Sequence, residues 1–237
     1  MILTNQSSYK LDFNLKILMV ITIVMFYQIS FGATSEEMAY RETLVTSLYK
    51  VVNVITMLVG LSLMVLGGVK LKKKAENPND PKAFTSVVLI TFISGALLFN
   101  YSGTSDTLIA TMLGDDKGHC FILADKTETS DIHSNNCWDS KNSDYVNDEL
   151  KKRIEGVEGA NEDAIKKNIN IIMGIFQLFG TVFLGKGIYG LYQAAEGQQG
   201  KSYGKSIVTM IAAALVIDLP HTLEMLNETV KLLGFGV

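Results

Sequence analysis

An all-α membrane protein is the fold class this sequence predicts, on three observations. The chain of 237 residues is 48% hydrophobic and only 19% charged, with positive mean hydropathy, which is too apolar for a disordered chain. The charges are clustered. Lys16 and Glu36, Lys50 and Lys70, Lys82 and Asp106, and Lys167 and Lys186 each bracket an uncharged stretch, and about 20 helical residues cross a hydrocarbon core of about 30 Å. Finally, residues 55–114 recur loosely 120 positions later. Gly60, Gly67, Leu71, Ala75, Glu76, Ser86, Val88, Leu113 and Gly114 match Gly180, Gly187, Leu191, Ala195, Glu196, Ser206, Val208, Leu233 and Gly234 without a gap. Each copy runs apolar stretch, polar connector, second apolar stretch, short amphipathic stretch. A repeated two-helix unit is a membrane-protein signature.

The predicted organisation follows in chain order. Residues 1–33 form a signal peptide or an anchor helix. Lys10 and Lys16 precede an apolar run over 17–29, and Ser30-Phe31-Gly32-Ala33 offers small residues suited to cleavage after Gly32 or Ala33. The long leading region with Asp12 leaves an uncleaved anchor as the alternative. Residues 34–114 form the first helical hairpin, crossing at about 51–71 and 84–101. Residues 115–166 form a polar insert. Residues 167–237 form the second hairpin, crossing at about 168–192 and 206–220.

The connectors set the orientation. The first carries Lys70, Lys72, Lys73, Lys74 and Lys82 against Glu76 and Asp80, and the second carries Lys201 and Lys205 against Glu196. The positive-inside rule places both in the cytoplasm, although Lys166 and Lys167 before the third crossing argue the other way. The insert then lies outside, in the periplasm. It holds the only tryptophan, Trp138, and both cysteines, Cys120 and Cys137. In an oxidising space such a pair forms a disulfide, which contributes about 3 kcal/mol for a loop this short. A zinc site with His119 and His133 is the weaker alternative, because no tight Cys-x-x-Cys pair is present. Residues 149–162 read as a solvated polar helix with glycine breaks.

Within the crossings, Gly60 and Gly67 share one helix face, as do Gly180 and Gly187; Gly68, Gly174, Gly185 and Gly190 add to the pattern. Small residues let helices approach closely in lipid, where no hydrophobic force drives them together. Lys186, Asp218 and His221 are the polar groups inside apolar sequence. Lys186 falls about five residues from the cytoplasmic end of the third crossing and is expected to snorkel to the headgroups. Asp218 and His221, three apart beside Pro220, are expected to hold the outer end of a short fourth crossing at the interface, with a proton relay or pore lining as the sharper alternative. The stretches 105–113 and 222–233 place Leu108, Ile109, Met112 and Leu113, and Leu223, Leu226, Val230 and Leu233, at helical spacing, as helices lying on the outer leaflet or on a partner do.

Enzyme chemistry finds little to work with. There is no Gly-x-Ser-x-Gly, His-Glu-x-x-His, phosphate-binding glycine loop or Cys-x-x-Cys, and only three histidines. No cofactor is expected. The net charge of -3 is uninformative about nucleic acid, but the lack of a basic aromatic face argues against sequence-specific binding to it.

The string Val69-Lys70-Leu71-Lys72 running into Glu76-Asn77-Pro78 and Pro81, followed by Gly95 in Ser94-Gly95-Ala96-Leu97-Leu98, resembles the small inner-membrane proteins of type IVB (Dot/Icm-like) secretion and IncI-type conjugation systems, the DotE/IcmC, DotP/IcmD and DotV group. The resemblance covers about 50–114 and extends weakly to 171–234, where Gly197-Gln198 stands in place of Asn-Pro. The cysteine-bearing insert has no counterpart in that group. The resemblance implies a non-catalytic structural subunit of a bacterial inner-membrane complex that exports protein or DNA, in contact with membrane lipid and other apparatus subunits and assembled as an oligomer or part of a large complex. A small pore or transporter built on the repeat, and a pilin-like subunit, are the alternatives.

Overall fold

The computed structural model describes residues 35–78, 85–113, 121–123 and 162–234. All regular structure among them is helical: α1 (Ser35–Glu76), α2 (Thr85–Phe99), α3 (Tyr101–Leu113), α4 (Glu162–Ala195), α5 (Tyr203–Ile217) and α6 (Leu219–Leu232). The expected signal or anchor segment over 1–33 lies outside the described residues. So do Lys82, Cys120, Cys137, His119, His133, Trp138 and nearly all of the insert.

Local chemistry sets the helix ends. Glu36 and Glu37 sit in the first turn of α1, and Lys73 and Lys74 in its last, each sign facing the end of the helix dipole that favours it. Asn77 still donates its N–H to the Lys73 carbonyl at 2.8 Å. Pro78 disfavours helical backbone at the residue before it, and the helix stops. α4 ends differently, in a Schellman motif. Gly197 N–H donates to Ala194 O and Gln198 N–H to Gln193 O, at 3.0 and 3.1 Å, with Gly197 at φ +67°, where a side chain would be strained. Ser202 then caps α5 by accepting from Lys205 N–H.

α1 is 42 residues long and α4 is 34, and both are long and apolar enough to cross a membrane. α1 extends 16 residues further toward its N-terminus than the crossing expected over 51–71, because Met38 and Val45 have their own packing partners. α2 bends into α3 by 95° and α5 into α6 by 93°, so the candidate spans among the described residues number two, or up to four if each bent pair is one.

The two long helices run side by side in one direction. Glu42 pairs with Lys167 at 3.5 Å. Val45 faces Gly174, and Thr56 faces Gly185. Lys70 pairs with Glu196. Partner positions therefore differ by 125 to 129 throughout. Because α1 and α4 start at the same end, the chain between them must return. By residue 121 it has done so, since Phe121 and Leu123 pack with Met38, Val45, Ile171 and Ile175. The bent pair α2–α3 makes that return.

The repeat persists in three dimensions, with a correction to its register. A Cβ placed on Gly60 would meet Phe99 N and Gly95 O; one placed on Gly180 would meet Ile217 N and Ala213 O. The first helices of the two copies correspond at an offset of 120, the second helices at 118. The gapless alignment is therefore wrong beyond the connector, which is two residues shorter in the second copy. At 118 the sequence matches become Thr91 with Thr209, Ile93 with Ile211, Ala96 with Ala214, Leu97 with Leu215, Thr104 with Thr222, Leu108 with Leu226 and Thr111 with Thr229.

That shift exposes a common device at the bends. Thr104 Oγ1 lies 2.9 Å from Leu97 O and 2.8 Å from Asn100 O. Thr222 Oγ1 lies 3.0 Å from Leu215 O and 2.9 Å from Asp218 O. In each copy a threonine hydroxyl one turn past the break stands against a carbonyl in the last turn of the preceding helix, where helix termination leaves acceptors unfilled, and against the carbonyl of the break residue itself. In the second copy Pro220, which has no N–H to continue α5, enforces the break.

One core is formed by Leu63, Leu98, Tyr101, Ile109, Leu184, Ile188, Met210 and Ile217. α3 lies against this bundle core through Ile109, which is 1% exposed, and also through Leu108 and Met112.

Candidate functional site

Lys70 is the hub of the connector end. Its ammonium contacts the Glu196 carboxylate and lies 3.4 Å from the hydroxyl of Thr91 and 5.0 Å from the centre of the Tyr192 ring. One side chain thereby ties α1 to α2 and to the end of α4, and brings both polar connectors to the same face of the bundle. The other basic residues of this turn differ. Lys74 contacts the Thr85 hydroxyl. Lys72 makes a loose 3.9 Å pair with Glu76, and both are well exposed, so that pair adds little. Lys73 points outward. Among the described residues the expected basic turn is thus one half-buried anchor, Lys70, with Lys72 and Lys73 exposed beside it.

The glycines expected at packing positions are not equivalent. A Cβ on Gly60 would stand 2.3 Å from Phe99 N and 2.7 Å from Gly95 O, both backbone atoms. Gly95, reciprocally, faces Met64 N at 2.9 Å. On Gly180 and Gly187 the nearest backbone atoms are Ile217 N at 2.8 Å and Met210 N at 3.1 Å, whereas Gly67 meets only the Phe92 ring, at 3.0 Å. Gly68 faces open space, and Gly174 faces the Leu123 side chain. Helix approach in each copy therefore rests mainly on the first glycine of its pair.

Asp218 and His221 sit together at the second bend, 3% and 9% exposed. The ring Nδ1 is 2.8 Å from both carboxylate oxygens. The pair is buried at the break, rather than set at a free helix end as expected, and it faces back on its own turn. It is not in reach of Lys186, in keeping with the expected difference in height.

Lys186 stands deeper than the sequence suggests. The α1–α4 register of 125 to 129 puts it level with residues 57–61 of α1. The uncharged run of α1 spans 51–69, so Lys186 is at mid-height. Nine to thirteen residues, about 14–20 Å at 1.5 Å per residue, separate it from the level of Lys70. That is further from the connector end than the five residues expected, and more than a lysine side chain spans. Lys186 is exposed. It lies 5.6 Å from the Phe183 ring centre and makes no ion pair among the described residues. It borders a groove of about 490 Å³ between α1 and α4, walled by Val52, Ile55 and Val59 on one side and Val182 and Tyr189 on the other. On an insertion scale a lysine at mid-height costs about 2.5–3.5 kcal/mol.

A docking site at the far end went unnoticed in the sequence. Phe121 stacks on Tyr49 with ring centres 4.1 Å apart. Ile122 N–H donates to Gln177 Oε1 at 2.9 Å, and Thr46 Oγ1 donates to Leu123 O at 3.3 Å. The signal was available: Phe121-Ile122-Leu123 is an apolar triplet in an otherwise polar region. No group of three or more metal-ligating side chains occurs among the described residues. Comparison with protein families, curated proteins and solved structures finds no match to this chain.

Proposed function

We propose that the protein is a non-catalytic structural subunit of a membrane-embedded export apparatus of the type IVB secretion or conjugation class. In this reading it is a multi-pass protein of the bacterial inner membrane, with both connectors in the cytoplasm and the 115–166 insert in the periplasm. The observation that carries it is the pairing of two like-oriented copies of one long-helix, bent-return unit, joined at one end by Lys70 and Glu196. Placing both connectors on one face gathers Lys70, Lys72, Lys73, Lys74, Lys201 and Lys205 there, as the positive-inside rule requires of a cytoplasmic face. Two pairs of titratable groups in the bundle hold its helices: Lys70 and Glu196 clamp helices, and Asp218 with His221 lies at a bend. The stop of α1 at Asn77-Pro78 and the close packing of Gly95 on α1 fall on residues that carry the resemblance to the DotE/IcmC, DotP/IcmD and DotV group.

The test is purification of the tagged chain from native membranes in mild detergent, with deletion of its gene assayed for export. Stoichiometric recovery with a secretion ATPase and channel subunits, and loss of export on deletion, is the expected result. Recovery of the chain alone, with ion flux in liposomes, would instead identify a pore. Recovery in sheared surface filaments would identify a pilin.

A further inference from the structure

We infer that the α1–α4 groove is the seat of a transmembrane helix from a different protein, one that carries an aspartate or glutamate near its mid-height and pairs it with Lys186. The inference rests on the membrane-spanning part of the proposed function and on nothing else in it. Three properties of the groove select this occupant.

The depth of Lys186 excludes a lipid headgroup as its counter-ion, since it stands level with residues 57–61 in the middle of the uncharged run. The lining is apolar apart from Lys186, Thr56 and the Tyr189 hydroxyl, and the Thr56 hydroxyl already donates to the Val52 and Asn53 carbonyls. Such a wall suits a helix face rather than a column of water. A second copy of this chain offers no free acid: residues 51–69, 85–99, 167–195 and 203–217 contain neither aspartate nor glutamate, and Asp106 on α3 is already engaged within its own copy. Of the nearby acids, Asp218 is buried against His221. A two-fold contact through the groove would also set Lys186 against its own copy. A cation left exposed at mid-height is costly, and ionisable groups there pair with one another. Gly185 packs on Thr56 at the floor of the groove, and Val182, exposed one turn from Lys186, is short enough to let a helix approach the α4 wall.

The test uses the full chain in phosphatidylcholine vesicles, with a photo-crosslinking residue in place of Val182. The probes are Leu/Ala host helices of transmembrane length bearing a single central Asp, Asn or Leu. The Asp helix is expected to crosslink at least fivefold more than the Leu helix. That preference should vanish in Lys186→Met, persist in Lys186→Arg, and be blocked by Thr56→Leu, which fills the groove and leaves the charge. Equal crosslinking of the three helices overturns the inference, as does indifference to Lys186→Met or efficient crosslinking of Val182 sites between copies of this chain. Release of the chain by alkaline carbonate would overturn the membrane reading as well; retention without the Asp preference overturns this inference alone.

Discussion

Adding one methyl group to Gly60 should cost more than adding one anywhere else in α1. The Cβ of Gly60→Ala would lie 2.3 Å from Phe99 N, 2.7 Å from Gly95 O and 2.7 Å from Leu98 C. All three are backbone atoms of α2, so no rotamer change relieves them. α2 must retreat by about 1 Å to reach van der Waals distance, which opens the contacts of Leu63 and Leu98, now 3% and 1% exposed. Overpacking of this kind costs about 1–3 kcal/mol. Gly68 is the internal control. Nothing lies within 4 Å of its Cβ position, so Gly68→Ala should stabilise by about 0.5–1 kcal/mol, the usual gain for replacing glycine inside a helix. Gly180→Ala should fall between the two, because one of its close neighbours is the Ile217 side chain, which can turn away. Titration of the three purified variants with SDS in mixed micelles, followed by circular dichroism, orders them. If Gly60→Ala resists SDS as well as Gly68→Ala, the close approach of α1 and α2 is not what holds the first copy together.

Three further expectations concern polar contacts. Lys70→Glu should weaken the bundle and Lys70→Glu with Glu196→Lys should recover it, with a coupling of about 1 kcal/mol in a double-mutant cycle. Gln177→Leu should leave the Ile122 N–H without its acceptor, at a cost of about 1–3 kcal/mol, and amide exchange at Ile122 should accelerate while exchange in α5 does not. Thr104→Val and Thr222→Val should each cost about 1 kcal/mol and lower proteolytic resistance at the bend of their own copy, with no effect at the other.

How much of this could be read from the sequence depends on the range of the interaction. The stop at Asn77-Pro78 and the apolar runs are local, so they are legible. Gly60 and Gly180 were visible as a recurrence because the first helices of the copies align without a gap. The bends were half legible. Pro220 marks one, but the first copy has no proline, and its marker is Thr104, whose kinship with Thr222 appears only after the two-residue shift. The depth of Lys186 was not legible at all. It is set by how α1 slides along α4, and that register depends on pairs such as Thr56 with Gly185 that are 129 positions apart.

The same register explains why two related units have different surroundings. Equivalent positions in the first helices are 120 apart, but facing positions are 125 to 129 apart. The copies are therefore staggered by about five to nine residues, some 8–14 Å at the helical rise, and are not related by a simple two-fold. The stagger lets α2 pack on α4 as well as on α1, which buries Thr91 and Ser94 completely. Their counterparts Thr209 and Ala212 on α5 are half-buried and exposed. It also makes α4 the central helix, with Leu184 and Ile188 at 0% exposure, while α1 keeps an open apolar flank through Val54, Leu58, Leu61 and Val65. The most apolar window of α1 is 17% buried against 56% for α4. Of the two long helices, α1 has the more apolar window and is the less shielded; lipid covers such a flank as well as another helix would, so the feature on that side that lipid does not satisfy is Lys186, at the groove beside it.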